Sequence, residues 1–148
     1  MRSFVISTGN FVGREIVNQI VHVFSGHFAS RQAACLYTEE QWEPEPDDSV
    51  SDEVYEAWEA RNPTWALRDD LNIDRLDSDF VETITGNDRM TYLEGLLTSD
   101  RDRETLRQSI PSSDNTLVLI SEATLDGQLA NFTSTAQLQY FGAYPCNI

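Results

Sequence analysis

The sequence contains no lysine, and all ten of its basic residues are arginine. It has only two cysteines, Cys35 and Cys146, which are far apart and belong to no CxxC or zinc-binding pattern. We interpret them as ordinary thiols, with a disulfide bond as the alternative. The two histidines, His22 and His27, have no third partner in a recognisable motif, and neither HExxH nor GxSxG occurs. Catalysis and metal binding are therefore unsupported by any motif.

Long apolar runs are also missing. No segment approaches the roughly 18 apolar residues of a membrane-spanning helix, and residues 1–13 lack the apolar run of a signal peptide. Residues 74–82 contain four carboxylates, but apolar residues interrupt them and the glycine of an EF-hand loop is absent. We therefore expect a cytoplasmic protein with no enzymatic activity, no metal and no cofactor.

Carboxylates are what the chain has in excess. Ten of them lie between Glu39 and Glu59 with no basic residue among them, in a chain whose net charge is −15. Such a field repels nucleic acid and anionic membranes and attracts a basic partner. Trp42 ends a predicted helix just before the proline-rich residues 43–46, where we expect it to be partly exposed. The ordinary alternative is a solvated surface that serves only solubility.

Hydrophobic patterning predicts the order β-α-α-β-α-α-β-β, with Ser30 and Ser99 as helix caps. A continuous apolar run within residues 116–122 is typical of a strand covered on both faces, and we expect the last two strands to pair antiparallel. The prediction is one α+β domain over residues 1–148, a mostly antiparallel sheet with helices packed on one face, and an acidic, proline-containing insertion at about 43–62. Strands are expected at 16–24, 79–85, 116–122 and 135–144, with a weaker one at 3–7, and helices at 30–42, 51–61, 88–97 and 99–109.

Four blocks, taken in order, resemble the immunity protein 22 family of bacterial polymorphic toxin systems. They are residues 21–28 before a helix, 71–82 (LNIDRLDSDFVE), 93–97 before a helix led by serine, and 115–120 with 138–144 (LQYFGAY). The resemblance covers about residues 20–144 and implies a small, non-enzymatic α+β protein that binds a neighbouring toxin stoichiometrically. The acidic insertion is longer than the family's pattern, and residues 1–19 precede its usual start. The residues that match the family's acidic block are Asp77, Asp79, Phe80 and Glu82.

The sequence thus predicts an antitoxin that binds and neutralises a cognate secreted or contact-delivered toxin with a basic surface. A nuclease suits this prediction, because a nuclease must bind phosphate with cationic side chains. We expect no nucleic-acid or membrane partner, and the net charge favours a monomer. One alternative is an acidic DNA mimic or regulatory module acting on a housekeeping DNA-binding protein, and another is a small hydrolase using Cys35 or a histidine. The candidate partner-binding residues are Trp42, Asp47, Asp48, Asp52, Glu53, Glu56, Glu59, Asp77, Asp79 and Glu82.

Overall fold

The computed structural model describes residues 19–126 and 131–147. In these ranges it has four strands, five α-helices and two short 3₁₀ helices, at Ser78–Phe80 and Glu122–Leu125. The predicted strand at 3–7 and the first residues of the one at 16–24 lie outside the described residues. In chain order the main elements are β1 (Gln19–Gly26), α1 (Arg31–Thr38), α2 (Asp52–Arg61), α3 (Ala66–Leu71), β2 (Val81–Thr85), α4 (Arg89–Leu96), α5 (Asp100–Ser109), β3 (Thr116–Ser121) and β4 (Gln139–Cys146).

The strands form one antiparallel sheet in the order β2-β3-β1-β4. β1 pairs with β3 from Val21 opposite Ser121 to Gly26 opposite Thr116, and with β4 on its other side. The prediction that the last two strands pair with each other is wrong, because β1 lies between them. β1 and β3 carry the most apolar sequences and are buried along almost their whole length, so they occupy the middle of the sheet.

Both faces of the sheet are covered. On one face Phe24 and Val118 pack with residues of α1 and α3, and on the other Val23 and Leu117 pack with residues of α4 and α5. The α+β class and the antiparallel sheet are confirmed. The expectation that the helices pack on one face is wrong, because adjacent residues of β1 and β3 point to opposite faces and both sets are apolar.

The starts of α1 and α5 agree with the predicted caps. The end of α1 and the start of β4 differ from the predicted bounds. Ser30 and Ser99 accept hydrogen bonds from the N–H groups of Ala33 and Asp102, at 3.0 and 3.1 Å. α1 ends at Thr38 rather than near residue 42. β4 begins at Gln139 rather than at 135, because Thr135 forms a tight turn in which its N–H donates to the Leu138 carbonyl at 2.8 Å.

Candidate functional site

Residues 41–64 fold back on themselves and are called the acidic lobe below. Gln41 and Thr64 close the lobe, because each backbone N–H donates to the other's carbonyl, at 2.8 and 2.9 Å. α2 lies within it and begins where the Ser51 hydroxyl accepts a hydrogen bond from the Val54 N–H at 3.3 Å. The acidic insertion expected at about 43–62 is therefore a structured unit whose ends are held together.

The proline-rich segment of the lobe, residues 43–46, is held against α2 by side-chain contacts. The Trp58 Nε1–H donates to the Glu43 carbonyl at 3.3 Å, and the Tyr55 hydroxyl donates to Glu45 Oε2 at 2.6 Å. The Arg61 Nε lies 3.0 Å from both carboxylate oxygens of Glu43. Proline restricts the backbone of this segment. The side-chain contacts therefore position a segment that has little conformational freedom.

An aromatic cluster forms the apolar part of the lobe. The Trp58 ring contacts both Trp42 and Tyr55 in tilted geometry, with centroid distances of 5.9 and 5.5 Å. Trp58 is buried, whereas Trp42 is 57% exposed, which confirms the expected partial exposure. Neither tryptophan belongs to the two cores beside the sheet. The lobe therefore presents to solvent one indole that packs against a buried one.

Most exposed carboxylates of the lobe have no cationic partner among the described residues. Glu43 pairs with Arg61, but among the described residues no arginine pairs with the six predicted acidic contacts of the lobe. Hydrogen bonds from the Ser49 hydroxyl and N–H lower the pKa of Asp47 and keep it ionised. At neutral pH the lobe is therefore a surface of uncompensated negative charge. These six exposed residues are Asp47, Asp48, Asp52, Glu53, Glu56 and Glu59.

The second predicted group, around Asp77 to Glu82, is placed by a 3₁₀ helix at the start of β2. The Asp77 Oδ1 accepts a hydrogen bond from the Asp79 N–H at 2.9 Å, and the Asp77 N–H donates to Thr124 Oγ1 at 2.8 Å. The next residues put Phe80 on the surface, with 38% of its side chain exposed. Glu82 then lies on β2, an edge strand of the sheet.

Phe80 separates two surface grooves. One has a volume of about 570 Å³ and lies on the α4 side of the sheet, and we call it the Phe80 groove. The other, of about 600 Å³, is lined by Asp77 and by Glu40, the residue that precedes the acidic lobe. Glu40, at the base of the acidic lobe, and Asp77 therefore lie on the same groove. The structure does not place the six exposed carboxylates of the lobe in either groove.

Tyr92 is a residue of the site that the sequence did not predict. It lies on α4, lines the Phe80 groove, and is 41% exposed. Its hydroxyl donates to Glu82 Oε2 at 2.5 Å, and this hydrogen bond raises the Tyr92 pKa to about 12. The available signal was an aromatic residue one helical turn before Leu96, beside the apolar face that Leu93 and Leu97 set.

The residues considered for catalysis lie in three different environments. The His22 Nδ1 lies 2.8 Å from the Tyr140 hydroxyl, and the His27 Nδ1 lies 3.1 Å from the Ser113 carbonyl oxygen. Burial, together with a hydrogen bond to Glu39, raises the pKa of Cys35, which keeps the thiol protonated. Cys35 is on α1 and Cys146 is in the core on the other face of the sheet, and both are free.

In residues 19–126 and 131–147, no three histidine, cysteine, aspartate or glutamate side chains converge as a metal site requires. Within the same part of the chain, no helix has the length and apolarity that crossing a bilayer demands. Comparison of the chain with protein-family models, with curated proteins and with solved structures returns no match. The resemblance to the immunity protein 22 family stays a prediction.

Proposed function

We propose that this protein is a non-catalytic immunity protein of the cytoplasm that binds a toxin with a basic surface and neutralises it by covering that surface with the acidic lobe. One observation carries the proposal: the exposed indole of Trp42, in contact with Trp58, belongs to a lobe whose six exposed carboxylates have no arginine partner in the described chain. A surface that served only solubility needs the charge but not the exposed tryptophan.

Charge and indole have different tasks in such a complex. Uncompensated carboxylates steer a basic partner and speed its association. An aromatic side chain that becomes fully desolvated supplies much of the binding free energy, and tryptophan is among the residues most enriched in this role. Contact with Trp58 restricts the Trp42 ring before binding, so less conformational entropy is lost when the partner covers it. A nuclease fits this surface because its phosphate-binding groove is basic.

The first test pairs the protein with the product of the gene beside its own. Co-expression should rescue growth of cells that produce this toxin. Trp42→Ala should weaken the purified complex by about 2 kcal/mol, or roughly 30-fold in Kd, mainly through faster dissociation. Leu36→Ala, which removes an exposed apolar side chain outside the lobe, is the matched control. Equal Kd values for the two variants would exclude Trp42 from the interface.

Association kinetics test the charge separately. Asp48→Asn/Glu53→Gln/Glu56→Gln should slow association and reduce its dependence on salt, because long-range attraction is screened. These three side chains make no hydrogen bond or ion pair among the described residues. A control variant with the same charge change, Asp74→Asn/Asp88→Asn/Asp126→Asn, removes three exposed carboxylates outside the lobe. If both triple variants slow association equally, only net charge matters and the lobe is not the interface.

A DNA mimic acting on a housekeeping protein is the second candidate, since the same uncompensated charge would attract a DNA-binding protein. The exposed Trp42 does not resemble a phosphate and favours the immunity proposal over mimicry. Affinity capture from a lysate without the toxin separates the two. Stoichiometric recovery of a housekeeping DNA-binding protein, released by competitor DNA, would replace the immunity proposal.

A further inference from the structure

The Phe80 groove has an apolar floor. Val21 and Leu119, from the two central strands, line it and are otherwise buried, and Leu96 of α4 lies beside them. Phe80 and Tyr92 line it as partly exposed side chains. A volume of about 570 Å³ is within the range of roughly 300–1,000 Å³ in which clefts hold small ligands or a few side chains. An apolar group placed here is removed from water.

The same groove is lined by carboxylates. Asp79 and Glu82 both lie on it, and both are exposed. Among the described residues no arginine pairs with either of them. A neutral apolar ligand would leave these two charges without a partner near a surface that loses water on binding, which is unfavourable. Charge complementarity therefore selects a ligand with an apolar stem and a cationic end.

Glu82 is already oriented for such a ligand. The Tyr92 hydroxyl donates a hydrogen bond to its Oε2, and Tyr92 keeps this donor proton at neutral pH because its pKa is raised to about 12. Its other oxygen has no hydrogen-bond donor among the described residues. The carboxylate is held by one contact and offers its remaining acceptor sites, which is the arrangement that guanidinium and ammonium groups bind best.

We infer that the Phe80 groove is a second contact site for the toxin and takes an arginine or lysine side chain, with the aliphatic stem on Phe80 and Leu96 and the cationic head at Asp79 and Glu82. This inference rests on the proposed function and adds to it, because the site is distinct from the acidic lobe. Long basic side chains bury their stems on apolar surface while the charged head keeps polar partners. The segment that carries the side chain is flanked by apolar residues, which match the groove floor.

The probe is the peptide acetyl-leucyl-arginyl-leucine amide, titrated into the ¹⁵N-labelled full chain. Its uncharged counterpart with citrulline in place of arginine has nearly the same shape. The arginine peptide should shift the amide signals of Val21, Glu82 and Leu119 and leave those of the acidic lobe unchanged. Asp79→Asn/Glu82→Gln should weaken its binding roughly tenfold or more, as expected for loss of a charge-assisted contact. Glu82→Gln keeps a side-chain oxygen that can accept the Tyr92 hydrogen bond.

Asp74→Asn/Asp88→Asn changes the net charge by the same amount away from the groove, and we expect it to bind the peptide as the wild type does. Phe80→Ala should weaken binding while leaving the carboxylates in place. Equal shifts with the citrulline peptide, equal weakening by the control pair, or shifts confined to the lobe would each overturn the inference.

The experiments distinguish failure of the groove inference from failure of the proposed function. If the wild type neutralises the toxin but the arginine peptide does not shift the groove residues, the immunity proposal stands and the groove inference falls. If the peptide binds the groove but the adjacent gene product is neither bound nor neutralised, the groove is a basic-segment site whose partner is not this toxin. In that case the proposed function falls.

Discussion

His22 lies within β1 with only 7% of its surface exposed, and the Phe132 ring centroid is 4.2 Å from its own. Its Nδ1 meets the Tyr140 hydroxyl at 2.8 Å, whereas its Nε2 is 3.3 Å from Glu122 Oε1 without hydrogen-bond geometry. Burial lowers the His22 pKa below 6.5, and the Glu122 carboxylate only partly opposes this effect. The folded protein therefore holds this imidazole neutral.

This environment predicts acid sensitivity. Because the pKa of His22 is lower in the folded state, its contribution to stability is present above about pH 6.5 and is lost as the pH falls toward the folded-state pKa. His22→Gln removes the titrating group, so the stability difference between wild type and variant should shrink between about pH 7.5 and 5.5. Urea unfolding at both pH values measures it. Parallel stability curves for the two proteins would show that His22 does not titrate differently on folding.

Helix caps determine stability at the scale of elements. Ser99 caps α5, which places the fully buried Leu106 in the core beneath the sheet. Ser99→Ala leaves the Asp102 N–H without this acceptor and should cost about 1 kcal/mol of unfolding free energy. Thr98→Ala, at the exposed preceding residue, should stay within about 0.5 kcal/mol of wild type. A urea midpoint that moves equally for both variants would contradict the role of the cap.

Elements whose causes are local could be predicted from the sequence. Ser30 and Ser99 mark helix starts because the cap and the N–H group it satisfies are only a few residues apart. The end of α1 was not predictable, because the Thr38 carbonyl accepts a hydrogen bond from the distant Trp65 Nε1 at 2.8 Å. The Thr38 hydroxyl likewise bonds Thr83 Oγ1 at 2.7 Å. Such contacts depend on tertiary structure, as does the placement of β1 in the middle of the sheet.

In the candidate site, too, some features were predictable from the sequence and others depend on tertiary structure. Exposure of the lobe carboxylates follows from composition, since ionised side chains without partners stay in water. The contact of Trp42 with Trp58 of α2 was not foreseen, although exposure of Trp42 was. The Phe80 groove was also unforeseen, because β1, β2, β3 and α4 all contribute to it. Tyr92 becomes interpretable only when α4 lies beside Glu82.

For the molecule as a whole, the net charge of −15 opposes compaction by self-repulsion. Raising NaCl from about 0.01 to 0.1 M shortens the screening length from about 30 to 10 Å, and Tm should rise by a few degrees. Asp48→Asn/Glu53→Gln/Glu56→Gln should raise Tm at low salt and reduce this response.

Carboxylates that already pair with arginine provide the control. Asp100 and Glu104 pair with Arg103 and Arg107, so Asp100→Asn/Glu104→Gln removes attraction together with repulsion. This variant should gain less Tm per charge removed than the lobe variant. Thermal unfolding followed by circular dichroism distinguishes the two, and an equal gain per charge would mean that local pairing is irrelevant.

The mutual hydrogen bonds of Gln41 and Thr64 give the lobe a narrow base. Its aromatic cluster is separate from both cores. In this respect the lobe resembles an antibody binding loop, whose sequence varies while the framework keeps its fold. Exposed positions on α2 can change with little effect on the sheet, provided that the closing pair and the buried Trp58 remain. The recognition surface of the lobe can thus be exchanged for another without refolding the rest of the protein, which under the proposed immunity function would let a lineage follow a succession of toxins.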